Sequence, residues 1–155
     1  MELVDLYDPA LVFEPIHRVV FGVEPAALLA RMREALSPDG VPAGAQSFRV
    51  VMARGEERFQ VGLPASPLAV GTLQRFLDQD LAAHPGGSID YIHGEADLRG
   101  LVADREDAVG FLLPPMPKED LFPSVLADGA LPRKTFSMGN ARDKRYYLEC
   151  RKIRI

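Results

Sequence analysis

Residues 88–117 read SIDYIHGEADLRGLVADREDAVGFLLPPMP, and this stretch decides the fold class. Ile89, Tyr91 and His93 alternate with Asp90 and Ile92, the period-two pattern of a strand. Glu95 to Ala103 follows at helical spacing, with Leu98, Leu101 and Val102 turned inward. Asp107 to Leu113 is nearly all apolar, as in a strand covered on both faces. Strand, short helix and strand make a βαβ unit, whose right-handed crossover can join parallel neighbours. Pro114-Pro115-Met116-Pro117 is a rigid exit from it.

Working outward from this unit, Pro67 to Ala83 is a helix with Ser66 as N-cap and Pro67 in its first turn. Val70, Leu73, Phe76, Leu77 and Leu81 form its apolar stripe, and His84 sits at its C-terminal end. Gln46–Ala53 and Arg58–Leu63 read as two strands joined through Arg54-Gly55-Glu56-Glu57 into a hairpin. Phe59, Val61 and Leu63 make the dry face of the second strand. Glu24 to Leu36 is a helix that buries Leu28, Leu29, Met32 and Leu36. Ala10 to Phe21 is a strand in which Pro15 marks an edge, a bulge or a break. On the other side, Lys118 to Leu126 is helical in two pieces around Pro123 and ends at Gly129. Leu131 to Met138 is a loop or short strand, and Lys144 to Ile155 alternates as a final strand. The expected architecture is therefore α+β, with a mixed sheet of about six strands, a hairpin, a C-terminal βαβ unit and three to four flanking helices.

The 155 residues are the size of one domain, with 47% apolar and 26% charged residues in the usual globular balance. A net charge of −4 argues against a nucleic-acid partner, because no excess of Lys and Arg is present to neutralise phosphates. The segment from Arg133 to Arg154 is locally basic, and two readings compete there: a solvated, alternating strand face, which the alternation favours, and an anion-binding patch. Cys150 is the only cysteine, so no disulfide closes within the chain, which suits a reducing cytoplasm. No apolar run approaches a membrane span, and the opening MELVDLYDP lacks the basic start of a signal peptide.

Three places carry candidate chemistry. His93 ends a strand and is followed by Gly94 and a helix N-terminus, an edge where α/β sheets hold ligands; Met116 and Lys118 are placed to share it. His17 and Arg18 are neighbours on a strand, so they face opposite sides, and the one that meets the core needs a polar partner. Lys134 and Thr135 sit in LPRKTFSM. A phosphate-cradling P-loop is not the reading there, because Pro132 has no N–H to donate; side-chain contacts from Arg133, Lys134, Thr135 or Ser137 to an anion are the alternative to a solvated loop. His17, His84 and His93 are too dispersed to suggest a metal site, and no Gly-x-Ser-x-Gly elbow points to a nucleophile.

FEPIHRVVFG, SIDYIHGEA, AVGFLLPPMPKEDLF and LPRKTFSMGNARDKRYYLECRKI, in this order and spacing, resemble the C-terminal half of the domain-of-unknown-function 1015 family of bacterial and archaeal proteins. The resemblance implies that this chain is the C-terminal domain of a longer protein. The N-terminal half of that protein would carry a Gly-His-His-Arg signature on a ParB/sulfiredoxin-like fold. It also favours His17, Arg18, His93, Lys134 and Thr135 as ligand-binding positions. The last motif here lacks the Pro-Lys with which many family members end it. The resulting expectation is an accessory domain, not catalytic by itself, that packs on its own N-terminal half. It would lend residues to a shared site for a phosphorylated small molecule or nucleotide, with the cofactor unspecified. A self-contained binding domain or enzyme is the first alternative and a ligand-free interaction module the second. A homo-oligomer is compatible with all three.

Overall fold

The computed structural model of the chain describes residues 5–38 and 46–139. The elements run β1 (Phe13–Phe21), α1 (Pro25–Leu36), β2 (Ser47–Met52), β3 (Gly55–Gln60), α2 (Ala69–Ala83), β4 (Ser88–His93), α3 (Glu95–Ala103), β5 (Ala108–Leu112), α4 (Leu121–Asp128) and β6 (Phe136–Met138). A single turn of 3-10 helix at Lys118–Asp120 leads into α4. The final strand expected over Lys144–Ile155, and Cys150 within it, lie outside the described residues.

Six strands form one sheet in the order β3-β2-β5-β1-β4, with β6 paired to β1. The α+β class and the strand number agree with the sequence reading, but the sheet is antiparallel at every ladder rather than mixed. The βαβ unit is split: β4 and β5 run the same way, and β1 lies between them, antiparallel to both. β1 is long enough to serve two partners at once, because Arg18 to Phe21 pair with β4 on one side and β5 on the other. The short α3 therefore spans two strand spacings, about 10 Å, rather than one.

Side-chain alternation sorts the core into two layers. Val20, Phe48, Val50, Val109 and Phe111 face α1 and α2 and join their Leu28, Met32, Leu73 and Leu77. Val19, Val51 and Leu112 face the other way and meet Leu98 and Val102 of α3. Leu101, expected inward, is 41% exposed; of the α3 side chains only Leu98 and Val102 are buried against the sheet. Phe13 and Val20 belong to one cluster although seven positions apart, so the alternation slips once between them, at the stretch that holds Pro15. Phe13 stacks on Phe136 at 4.0 Å, which fixes β6.

Three element boundaries differ from the periodicity. The hairpin register pairs Met52 with Gly55, so Ala53 and Arg54 alone make the turn. β3 then covers Gly55–Gln60, because this register stacks Phe48 on Phe59 at 5.3 Å. Leu63 falls beyond the strand and is exposed. α2 starts at Ala69 rather than Pro67, and the Ser66 hydroxyl bonds to Asp128 at 2.6 Å, linking this turn to α4. α1 begins as expected, with the Glu24 carboxylate accepting the free amides of Ala26 and Ala27. Arg31 joins α1 to α2 through a two-pronged bond to the buried Asp80, at 2.6 and 2.8 Å, and holds that carboxyl below its usual range.

Gly110 sits on β5 directly beneath α3. A Cβ there would fall 2.4 Å from Leu98 Cδ2 and 3.2 Å from Val102 Cγ2. Gly100, exposed on α3, has open space around it. Gly110→Ala should therefore cost about 1–3 kcal/mol by overpacking. Gly100→Ala should stabilise by up to about 1 kcal/mol through helix propensity. Urea denaturation of the two variants checks both signs; equal effects would contradict the packing described here.

Candidate functional site

β1 delivers His17 and Arg18 to opposite faces of the sheet, as strand geometry requires, and both are buried. Arg18 points toward α2 and is fully enclosed. Its Nε donates to Gln74 Oε1 at 3.2 Å, one terminal nitrogen donates to the Ile16 carbonyl, and the other donates to the Arg133 carbonyl at 2.8 Å. The guanidinium also lies 5.2 Å from the centre of the Tyr91 ring. Burial lowers its pKa to about 10, so it stays charged at neutral pH. No carboxylate bonds to it among the described residues. Asp78 is instead one step away, accepting from Gln74 at 2.9 Å and from Arg133. Arg133 closes the ring by donating to the Tyr91 hydroxyl.

This network holds the segment that carries Lys134. The turn at Arg133 and Lys134 is clipped by Thr135, whose hydroxyl donates to the Pro132 carbonyl at 2.6 Å. Thr135 is buried, so its described role is to lock the turn. Lys134 has φ of +55°, the one non-glycine residue in the left-handed region among those described. Its exposed side chain lines an open cleft of about 650 Å³ with Ile16, Tyr91, His93, Phe136 and Met138. His93 enters that cleft because it pairs with Ile16 across β1 and β4. Its Nε2 lies 3.9 Å from a Glu14 carboxylate oxygen, too far for a hydrogen bond. The cleft thus presents one ammonium, one imidazole, and an apolar and aromatic floor.

His17 faces α3 and lines a separate cleft of about 750 Å³. Its Nδ1 accepts the Leu113 amide at 3.2 Å, so in the neutral ring the proton is on Nε2. Burial is the main reason its pKa falls to about 4; Glu95 opposes the fall, while Arg18 and Arg49 add to it.

The five residues favoured from sequence therefore separate into three positions. His93 and Lys134 share one cleft, His17 lines another on the opposite face, and Arg18 with Thr135 supports the first from beneath. Gly94, with φ of +99°, turns the chain so that the N-terminus of α3 lines the His17 cleft rather than the His93 cleft. Met116 is buried in the core and Lys118 bonds to the Asp8 carbonyl at 2.6 Å, so neither joins His93. Tyr91 and Gln74 were not singled out from sequence, and Arg133 was named only as a possible anion contact, not as a partner of Arg18. Tyr91 stands two residues before His93 on the same strand face, which was a usable signal; the approach of residue 133 to Arg18 had none. Among the described residues no group of three or more His, Cys, Asp and Glu side chains is arranged to hold a metal ion, and no helix is long and apolar enough to cross a membrane. Compared with known proteins, the chain matches no family model, no curated protein and no solved structure.

Two outcomes follow from the buried pair. His17 binds its proton less tightly folded than unfolded, so its contribution to stability is present above pH 6.5 and is lost as the pH falls toward 4. Imidazole NMR should find His17 still neutral at pH 5, and a His17 resonance titrating near 6.5 would contradict its enclosure. Arg18→Met should leave the sheet folded but release the Lys134 turn, because the Arg133 carbonyl loses its donor. Amide exchange in residues 131–135 should quicken by about tenfold or more while β2 and β5 stay protected.

Proposed function

We propose that this is a ligand-binding accessory domain whose His93–Lys134 cleft takes the phosphate of a phosphorylated small molecule or nucleotide. The supporting observation is the Lys134 turn. A lysine held at φ of +55° costs conformational energy, and it is kept there by a buried Arg18 and a dedicated Thr135 bond. The effect is to present an ammonium beside His93 above the Phe136 and Ile16 floor. Lysine acts on phosphate as a point charge, and the aromatic floor suits a base or other apolar body.

The cleft is shallow and open, which fits a site completed by a second body. In the resemblance to the domain-of-unknown-function 1015 family, that body is the N-terminal half of the same protein. Two surfaces of this domain favour such packing. The outer edge of β4 has no partner strand among the described residues. On α4, Phe122 and Leu126 are 60% and 87% exposed, an apolar stripe that contact with another body would cover. The catalytic groups, where there is chemistry, then belong to the other half, and a cytoplasmic setting follows from the phosphorylated ligand.

Thermal shift of this chain with inorganic phosphate, ATP, ADP and phosphoserine tests the reading. Binding should stabilise in proportion to ln(1 + [L]/Kd). Lys134→Ala should weaken the responding ligand by about tenfold, equivalent to about 1.4 kcal/mol. No response to any of them, or an unchanged response in Lys134→Ala, would sink the ligand assignment. Failure of the domain to associate with a separately expressed N-terminal half would sink the accessory role alone.

A further inference from the structure

A cleft of about 750 Å³ lies on the face opposite the Lys134 turn. Its floor is a single row across the sheet. His17 pairs with Ile92, Leu112 pairs with Arg49, and Arg49 pairs with Arg58. These side chains lie on the α3 side of the strands, together with Ser47 and Glu56. The N-terminal turn of α3, through Gly94 and Glu95, and the Pro114-Pro115 exit from β5 wall the cleft.

Two features of this row are not accounted for by folding. The first is Arg49 directly opposite Arg58 in an antiparallel pair. Like charges in that position destabilise a sheet. Arg49 is compensated by Glu56 and Glu95, but the guanidinium of Arg58 bonds only to the Ser47 hydroxyl, at 2.8 Å, among the described residues. The second is His17. It is 5% exposed, its Nδ1 is occupied by the Leu113 amide, and no described group accepts the proton on Nε2. Nε2 is not sealed in the core: among the described residues no buried side-chain nitrogen or oxygen lacks a partner, so this N–H reaches the cleft. Here the open side of the ring belongs to a residue that lines the cleft.

We infer that the α3 face carries a second binding site, which takes a small monocarboxylate bearing a neighbouring carbonyl or hydroxyl oxygen. The carboxylate would lie on Arg58 and Arg49, and the second oxygen would accept the Nε2–H of His17 across Leu112. His17 and Arg49 stand two strands apart, about 10 Å between Cα atoms, a gap that long arginine side chains and a ligand of a few heavy atoms close. A guanidinium fork matches a carboxylate. A neutral imidazole donor suits an uncharged oxygen, since it polarises without adding charge. The charge count selects a monoanion. Glu56 and Glu95 are offset by Arg49 and Arg99, and Glu57 by Arg33. Arg58 is the cation left over, while Glu14 on the rim opposes a second negative charge.

The test is a titration of this chain with lactate and with pyruvate, followed by imidazole and amide NMR. Saturable shifts are expected at His17 Nε2 and at the Leu113 amide. Arg58→Gln should weaken them by about tenfold or more, with Arg58→Lys intermediate. Arg58 is exposed on an edge strand, so this variant is expected to fold. Lys134→Ala should leave these shifts unchanged, which separates this site from the phosphate cleft. The inference is overturned by an absence of saturable shifts up to about 20 mM. It is equally overturned by an unchanged titration in Arg58→Gln, or by inorganic phosphate at equal ionic strength producing the same shifts.

Discussion

The structure depends on the insertion of β1 between β4 and β5. A strand in that position is covered on both faces and paired on both edges, so every residue along it has an assigned neighbour. Val19 and Val20 fill opposite cores and are both fully buried. The same alternation leaves no freedom to His17 and Arg18: one must enter the α3 layer and the other the α2 layer. A one-residue slip would exchange them and also exchange Val19 with Val20, so the two apolar cores enforce the placement of the two polar side chains. The division of candidate chemistry between two clefts is thus a consequence of strand pleat.

Arg18 shows how a buried charge can be tolerated without a direct counter-ion. Taking a guanidinium out of water is costly. Here the cost is offset by three hydrogen bonds, by the Tyr91 ring, and by Asp78 one bond further out. Two of these partners, Gln74 and the Arg133 carbonyl, lie 56 and 115 residues away in the chain. The arginine therefore ties β1 to α2 and to the loop before β6. An apolar residue of similar size could fill the space but could not hold a carbonyl in a loop, as Arg18 holds that of Arg133 before the Lys134 turn.

Local patterns made most elements legible. The Leu28, Leu29, Met32 and Leu36 stripe, the apolar run of β5 and the Gly129 stop all speak through spacing alone. What periodicity does not carry is pairing. The run of β4, α3 and β5 looks the same whether its strands are neighbours or have a third strand between them, and only the long, doubly buried β1 decides. Hairpin register was likewise set by a tertiary contact, the Phe48–Phe59 stack, against the turn chemistry of Gly55. At the candidate sites, residue types drew attention to His17, Arg18, His93 and Lys134. Their grouping followed from strand order, which they do not encode. Arg49 and Arg58 looked like ordinary surface charges until the register set them opposite one another.

That opposition bears on how the two faces differ. On the α2 face, three sets of charges are closed in pairs or rings, Arg31 with Asp80, Arg33 with Glu57, and Arg18 through Asp78 to Arg133, while Lys134 stands open in its cleft. Such closure is what folding stability favours, since a charge with a bonded partner costs least. On the α3 face the Arg49, Arg99, Glu56 and Glu95 cluster is closed as well, and holds the Glu95 carboxyl below its usual range. Arg58 and His17 are the exceptions, in one row with Leu112 and the paired Arg49 between them. Local departures from pairing rules concentrate where a protein binds something. The closed Arg49, Arg99, Glu56 and Glu95 cluster beside Arg58 and His17 makes the departure easier to read, because the groups left open to the cleft define both the position and the charge of what would meet them.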